Sequence, residues 1–180
     1  MKLHEFFERL DQYDARIPLD ELTHLMRQLD VSCDDVKDSM VFKDECYCRN
    51  ILRVGAPYSA LVLCWKDGQA SPVHDHLGSS CGVRVLRGHG TERSFERDTH
   101  GTMRETGVTT FSEGDVCASF DTRTHEICNE SGDGTPLVTL HVYSPPLQGY
   151  HTFCLETGTV KTRVDEQSLA ARREAGLPCD

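Results

Sequence analysis

SPVHDHLGSSC, residues 71–81, sets His74 and His76 on either side of Asp75, with Cys81 five positions beyond the second histidine. On an extended chain successive side chains alternate, so residues at i and i+2 share a face. His74 and His76 then point one way and Asp75 the other. Two imidazoles on one face can bind one metal ion, but they cannot finish its shell. A third donor has to come from elsewhere in the chain. The stretch is either half of a metal site or an ordinary polar loop, and that choice decides how its surroundings are read.

The segments around it are short and β-rich. CYCRNILRVG (46–55), SALVLCWKDG (59–68), CGVRVLRG (81–88), TERSFERD (91–98), RETGVTTFSEGDVCASF (104–120), THEICNE (124–130) and LVTLHVYSPP (137–146) are punctuated by Gly, Pro, Asp and Asn. Short strands at such spacing predict an all-β sandwich or barrel. QGYHTFCLETGTVKTRV (148–164) reads as one more hairpin, turning at Glu156 to Gly158. Before residue 40 the period is helical. Residues 3–12 and 18–29 read as amphipathic helices, the second with Leu19, Leu22, Leu25, Met26 and Leu29 along one side. Pro18 suits a first turn, and Ser32 suits an N-cap for a short third helix in SCDDVKDSM. The tail, 165–180, is charged and reads as a frayed helix. A single domain is expected, with helices over 1–38 and a β-barrel over 40–164.

Bulk properties bound the function. The chain has 180 residues and a formal net charge of −10, so binding nucleic acid or an anionic membrane by charge alone is not expected. No apolar run approaches about 18 residues, and the first residues have no apolar core of a signal peptide. The nine cysteines include no CxxC pair, which argues for reduced thiols in the cytoplasm rather than a zinc finger. A monomer is expected.

The wider spacing argues for the metal. Gly68 stands six residues before His74, and Gly88 seven after Cys81. This is similar to the first motif of the cupins, G-x5-H-x-H-x3–4-E-x6-G, with Cys81 where many members place a metal-binding glutamate. The second motif, G-x5-P-x-G-x2-H-x3-N, is matched at its ends by Gly114, His125 and Asn129, with Phe120 and Thr122 in place of the inner proline and glycine. The resemblance implies a mainly β fold, a jelly-roll-like cupin β-barrel preceded by a short N-terminal helical segment. It implies His74, His76 and His125 as metal ligands. Three imidazoles suit Zn, Fe, Cu or Ni. With no glutamate, the site around a divalent metal carries a net +2 charge and favours an anionic ligand such as a thiolate.

A closer resemblance rests on YCRN (47–50), CWKDG (64–68), HDH with Cys81, and HVYSPP (141–146). Together they resemble the cysteine dioxygenase family of non-haem iron enzymes, over about Tyr47 to Phe153. The resemblance implies Fe(II) on the three histidines, and conversion of L-cysteine to cysteine sulfinate with O2. It implies that Arg49 binds the substrate carboxylate, and that Tyr143 lies over the metal with His141 as its partner; Tyr47 is read as support for the pocket wall in preference to plain core packing. It also implies a thioether crosslink between Cys81 and Tyr143, and allows a cis bond at Ser144–Pro145. The chemistry of the residues agrees. Arg49 offers a planar fork that pairs with a carboxylate bidentately. Thr139, His141 and Tyr143 fall on one strand face at period two. Tyr150 stands near the entrance, where animal members have another cysteine. Asp75 is read as a solvated or turn-stabilising acid, Trp65 as core, and His151 as unassigned. Two alternatives stay open: a dioxygenase of 3-mercaptopropionate, disfavoured by Arg49, and a cupin that binds metal without catalysis.

Overall fold

The computed structural model describes residues 1–120 and 123–179; Thr122, which replaces the glycine of the second motif, lies outside them. Helices α1 (Leu3–Leu10) and α2 (Leu19–Arg27) and a 3-10 turn at Cys33–Ser39 open the chain. Ten strands follow: β1 (Cys48–Val54), β2 (Ser59–Trp65), β3 (Ser80–Arg87), β4 (His89–Arg97), β5 (Met103–Ser112), β6 (Val116–Ser119), β7 (Thr124–Cys128), β8 (Leu137–Ser144), β9 (Gly149–Phe153) and β10 (Val160–Val164). Helix α3 (Glu166–Glu174) closes it. Each expected segment yields its element, and RETGVTTFSEGDVCASF yields two, split at Gly114. Ser32 and Asp35 cap the 3-10 turn reciprocally. The Ser144–Pro145 bond is cis.

The expected barrel takes a more open form. Among the described residues the strands form a five-stranded sheet in the order β1-β2-β8-β3-β6, a three-stranded sheet β5-β4-β7, and the pair β10-β9. Their ladders do not close on one another; isolated bridges from His74 to His125 and to Thr152 join β7 of the small sheet to β9 of the pair. Gly88 explains one corner. It sits between β3 and β4, where the chain leaves the large sheet for the small one. Its φ is +83°, and a Cβ there would lie 2.5 Å from the Pro136 carbonyl oxygen. Only glycine turns this corner without strain.

The large sheet is buried on both faces, so β2 and β8 have no exposed residue. On the outer face Ala60, Val62, Cys64, Val138, Leu140 and Val142 pack against Phe6, Leu10, Leu22 and Met26 of the helices. Gly82 lets α2 come close, since a Cβ there would lie 2.5 Å from the Met26 sulfur. On the inner face Leu61, Leu63, Val83, Val85 and Leu137 meet Phe111 and Ile127 of the small sheet. Each large apolar side chain buried this way stabilises the fold by about 1.5–3 kcal/mol. The small sheet is different: most of β5 faces water.

The tail is not frayed. Asp165 caps α3 by accepting from the Ser168 N–H, and the buried Arg172 donates from Nη1 to the Gly55 carbonyl at 2.7 Å. The charged composition of the tail hid this, because two of its charges are buried with partners on or just after β1 or within the tail.

Candidate metal centre

His74 and His76 lie on the connection between β2 and β3, which is too short-paired to count as a full strand. Backbone bonds still align it. The His74 N–H donates to the His125 carbonyl at 2.8 Å, and the His125 N–H returns to the His74 carbonyl at 2.9 Å. This register carries His125, on β7, to the other two histidines. Their candidate ligand nitrogens all lie within 4.8 Å of one another, and all three rings are largely buried.

Each ring is oriented so that Nε2 is left for the centre. Nδ1 of His74 faces the Pro72 carbonyl at 2.9 Å, and Nδ1 of His125 faces Glu92 Oε1 at 3.0 Å. Nδ1 of His76 is buried with no partner among the described residues. A carbonyl or carboxylate behind a ligating imidazole fixes its tautomer and direction. Glu92 is itself braced by Arg123 at 3.3 Å. Burial alone would raise the Glu92 carboxyl, but the bond to His125, with the charges of His125 and Arg123, holds it below its usual range.

The donor set fits a metal ion. Nε2 of His76 and Nε2 of His125 face each other at 3.2 Å. Two nitrogens each about 2.1 Å from one ion at a tetrahedral or octahedral angle are roughly 3.0–3.4 Å apart. Burial, with neighbouring histidines adding to it, lowers His74 to about 3 and His76 well below its usual value. The His74 and His76 rings are therefore neutral at physiological pH, as ligation requires.

The same cavity is lined by Tyr47, Arg49, Cys81, His141 and Tyr143. The Tyr143 ring stands edge-on to His76, with centres 5.2 Å apart. The Arg49 guanidinium carbon lies 5.7 Å from the centre of the Tyr143 ring. Cys81 and Tyr143 are directly opposed across the β3–β8 ladder, and each is about 1% exposed. Burial pushes the Cys81 thiol and the Tyr143 phenol far above their ordinary values, so both keep their protons. His141 links the line: Nε2 is 3.0 Å from Thr139 Oγ1 and Nδ1 is 3.4 Å from the Tyr143 hydroxyl. Trp65 is core, as expected, but its indole N–H also donates to Thr139 Oγ1 at 3.1 Å, and Tyr47 stacks on its ring at 4.1 Å. Tyr150 stands 6.1 Å from the His74 ring.

Three contacts were not foreseen. Glu92 behind His125 depends on how β4 aligns with β7, which no local pattern encodes. Asp75 is no ligand, but it accepts from both the His151 N–H and Nδ1 at 2.8 Å, tying the histidine loop to β9. Arg49 donates from Nη2 to Asp165 Oδ2 at 2.6 Å, across 116 residues of chain. Glu92 and Asp165 stand in charged segments, so neither stood out from its neighbours in the sequence.

Comparison with known proteins agrees with the geometry. A family model described as Cysteine dioxygenase type I matches residues 1–155. The chain is 32% identical over 161 residues to cysteine dioxygenase type 1 of Danio rerio, covering 87% of this chain and 77% of that one. It is 32% identical over 125 residues to the Rattus norvegicus protein of that name, covering 62% of this chain and 58% of that one. Among solved structures it resembles a double-stranded β-helix protein from Klebsiella pneumoniae, with TM-score 0.55 at 16% identity, covering 65% of this chain and 87% of that one. It also resembles the TT1209 protein from Thermus thermophilus, with TM-score 0.51 at 22% identity, covering 62% of this chain and 94% of that one. At those identities the structural likeness is one of fold. On the match over residues 1–155, the chain belongs to the cysteine dioxygenase type I family.

Proposed function

We propose that the protein is a cysteine dioxygenase, converting L-cysteine to cysteine sulfinate with O2 at Fe(II) held by His74, His76 and His125. The observation that carries this reading is the meeting of a three-imidazole donor set and a buried arginine in one cavity. Family membership and the name of the zebrafish relative support the substrate.

When bound, iron supplies a position where a thiolate and dioxygen can meet. The remaining work falls to the protein. Arg49 pairs its fork with the substrate carboxylate and so fixes which way the sulfur points. Tyr47, stacked on Trp65, forms a rigid wall beside it. Tyr143 presents a protonated hydroxyl to the cavity, and His141, anchored on Thr139, holds that hydroxyl in place. Cys81 is a buried neutral thiol, which suits a partner for Tyr143 better than an anionic ligand. In the overall reaction both oxygen atoms end on sulfur, which loses four electrons to O2, and the thiol proton is released with the sulfinate. No external reductant is consumed. A Cys81–Tyr143 thioether would form with loss of the thiol hydrogen and one ring hydrogen, dioxygen taking the two electrons.

The nine thiols, unpaired in the structure, suit a reducing cytoplasm, and the chain is read as a monomer there. Among the described residues no helix is long and apolar enough to cross a membrane. The test is oxygen uptake by iron-loaded protein given L-cysteine, with mass spectrometry of the product under labelled O2. Both labelled atoms are expected in the sulfinate, and Arg49→Gln is expected to raise KM for cysteine. Faster turnover of 3-mercaptopropionate would overturn the substrate assignment. No uptake with either thiol would leave a metal-binding protein without this catalysis.

A further inference from the structure

Arg49 is not free to point anywhere. Its guanidinium faces the histidine cavity, while Asp165, which does not line that cavity, accepts from Nη2 at 2.6 Å. Both side chains are buried, 17% and 5% exposed. Asp165 uses its two oxygens for two purposes: Oδ2 receives Arg49 and Oδ1 receives the Ser168 N–H that begins α3. The Asp165 backbone N–H is tied to the Gln148 carbonyl at 2.8 Å. Further along α3, Arg172 reaches the Gly55 carbonyl. Helix α3 is thus docked near both ends of β1, the edge strand that carries Arg49. Asp165, Ser168 and Arg172 lie past residue 155, where the family match stops.

We propose that Asp165 is a positioning residue: it holds the Arg49 guanidinium toward the histidine cavity so that its remaining N–H groups meet a substrate carboxylate. This rests on the reading of Arg49 as the carboxylate binder. Two effects of Asp165 oppose each other. Its charge offsets that of Arg49 and weakens the pull on an anion. Its bond fixes the plane of the fork, which a two-point match to a carboxylate requires. Orientation outweighs charge here, because the guanidinium keeps its full charge when Asp165 is removed but loses the only carboxylate that anchors it among the described residues.

Two replacements separate this role from helix capping. Asp165→Ser still caps α3 but is too short to reach Arg49. Asp165→Asn keeps the size, with one oxygen and no charge. The full chain is loaded with Zn(II), which three imidazoles also accept and which does no redox chemistry. Binding of L-cysteine and of cysteamine, which lacks the carboxylate, is measured by calorimetry. The Arg49 Nε–H resonance, identified by its loss in Arg49→Lys, reports the guanidinium directly. In both variants that resonance is expected to move, and Kd for L-cysteine to rise about tenfold while Kd for cysteamine stays the same. In the iron-loaded enzyme KM rises and kcat stays within about twofold. An unchanged or lower Kd for L-cysteine in the two variants overturns the inference. A wild-type protein that binds cysteine through Arg49 yet consumes no O2 overturns the dioxygenase reading alone.

Discussion

On β8, Val138, Leu140 and Val142 turn toward the N-terminal helices, while Thr139, His141 and Tyr143 turn toward the histidines. The two sets share one backbone and alternate residue by residue. The outer set asks its neighbours only for volume. The inner set asks for partners, and finds them: Trp65 for Thr139, Thr139 for His141, His141 for Tyr143. A slip of one residue in register would exchange the two faces and leave every one of these polar groups against hydrocarbon. The helices therefore do more than cover the sheet. By filling the outer face with Phe6, Leu22 and Met26 they fix which face looks inward, and so which residues meet the histidines.

Substitutions on the two faces should separate cleanly, and any that do not would break the comparison. The largest expected effect is on the inner side. His76→Ala leaves two imidazoles, and metal content by elemental analysis should fall to background, with activity reduced at least about a hundredfold and a largely unchanged circular dichroism spectrum. On the outer face, Leu140→Ala should cost about 2–5 kcal/mol in urea unfolding while leaving kcat/KM unchanged in protein that is folded. A change in kinetics there would show that the faces are not independent. Glu92→Gln keeps size and removes the charge behind His125. Metal affinity by competition with a chelator should weaken about tenfold to a hundredfold.

The last test concerns acid. Burial lowers His74 to about 3 and puts His76 and His141 well below their usual value, whereas the outer face holds no titrating histidine. The folded state thus resists protons that unfolded histidines take up near pH 6.5. Their contribution is present above that pH and is lost as pH falls from about 6.5 toward 3. Chelator-treated protein should lose stability over that range, by up to about 1.4 kcal/mol per pH unit for each such histidine. A flat profile would mean that the inner face hydrates when no metal is bound.

Much of this was legible in the chain. The change from a helical to a two-residue period located the helices and the strands, with β5 and β6 read as one segment, because each signal is confined to a few residues. His74, His76 and His125 were legible because their spacing to Gly68, Gly88 and Asn129 is itself local. Arg49 and Tyr143 came from resemblance rather than pattern. What was not legible depends on distant registers. Nothing near Glu92 says that β4 aligns with β7, and nothing near Asp165 says that it ends beside Arg49. The tail looked frayed because a count of charges cannot tell a solvated arginine from one bonded to a buried carbonyl. Strand patterns also do not say whether neighbouring ladders meet, which is why the jelly-roll-like fold was legible but its division into two sheets and a separate pair was not.

The reciprocal backbone pair between His74 and His125 has a consequence for measurement. Each amide hydrogen is shielded by the other residue's carbonyl, so neither exchanges with solvent unless the segment carrying His74 parts from β7. The deuterium uptake of these two amides is then a clock for opening of the histidine cluster, one that runs with or without substrate and needs no turnover to be read.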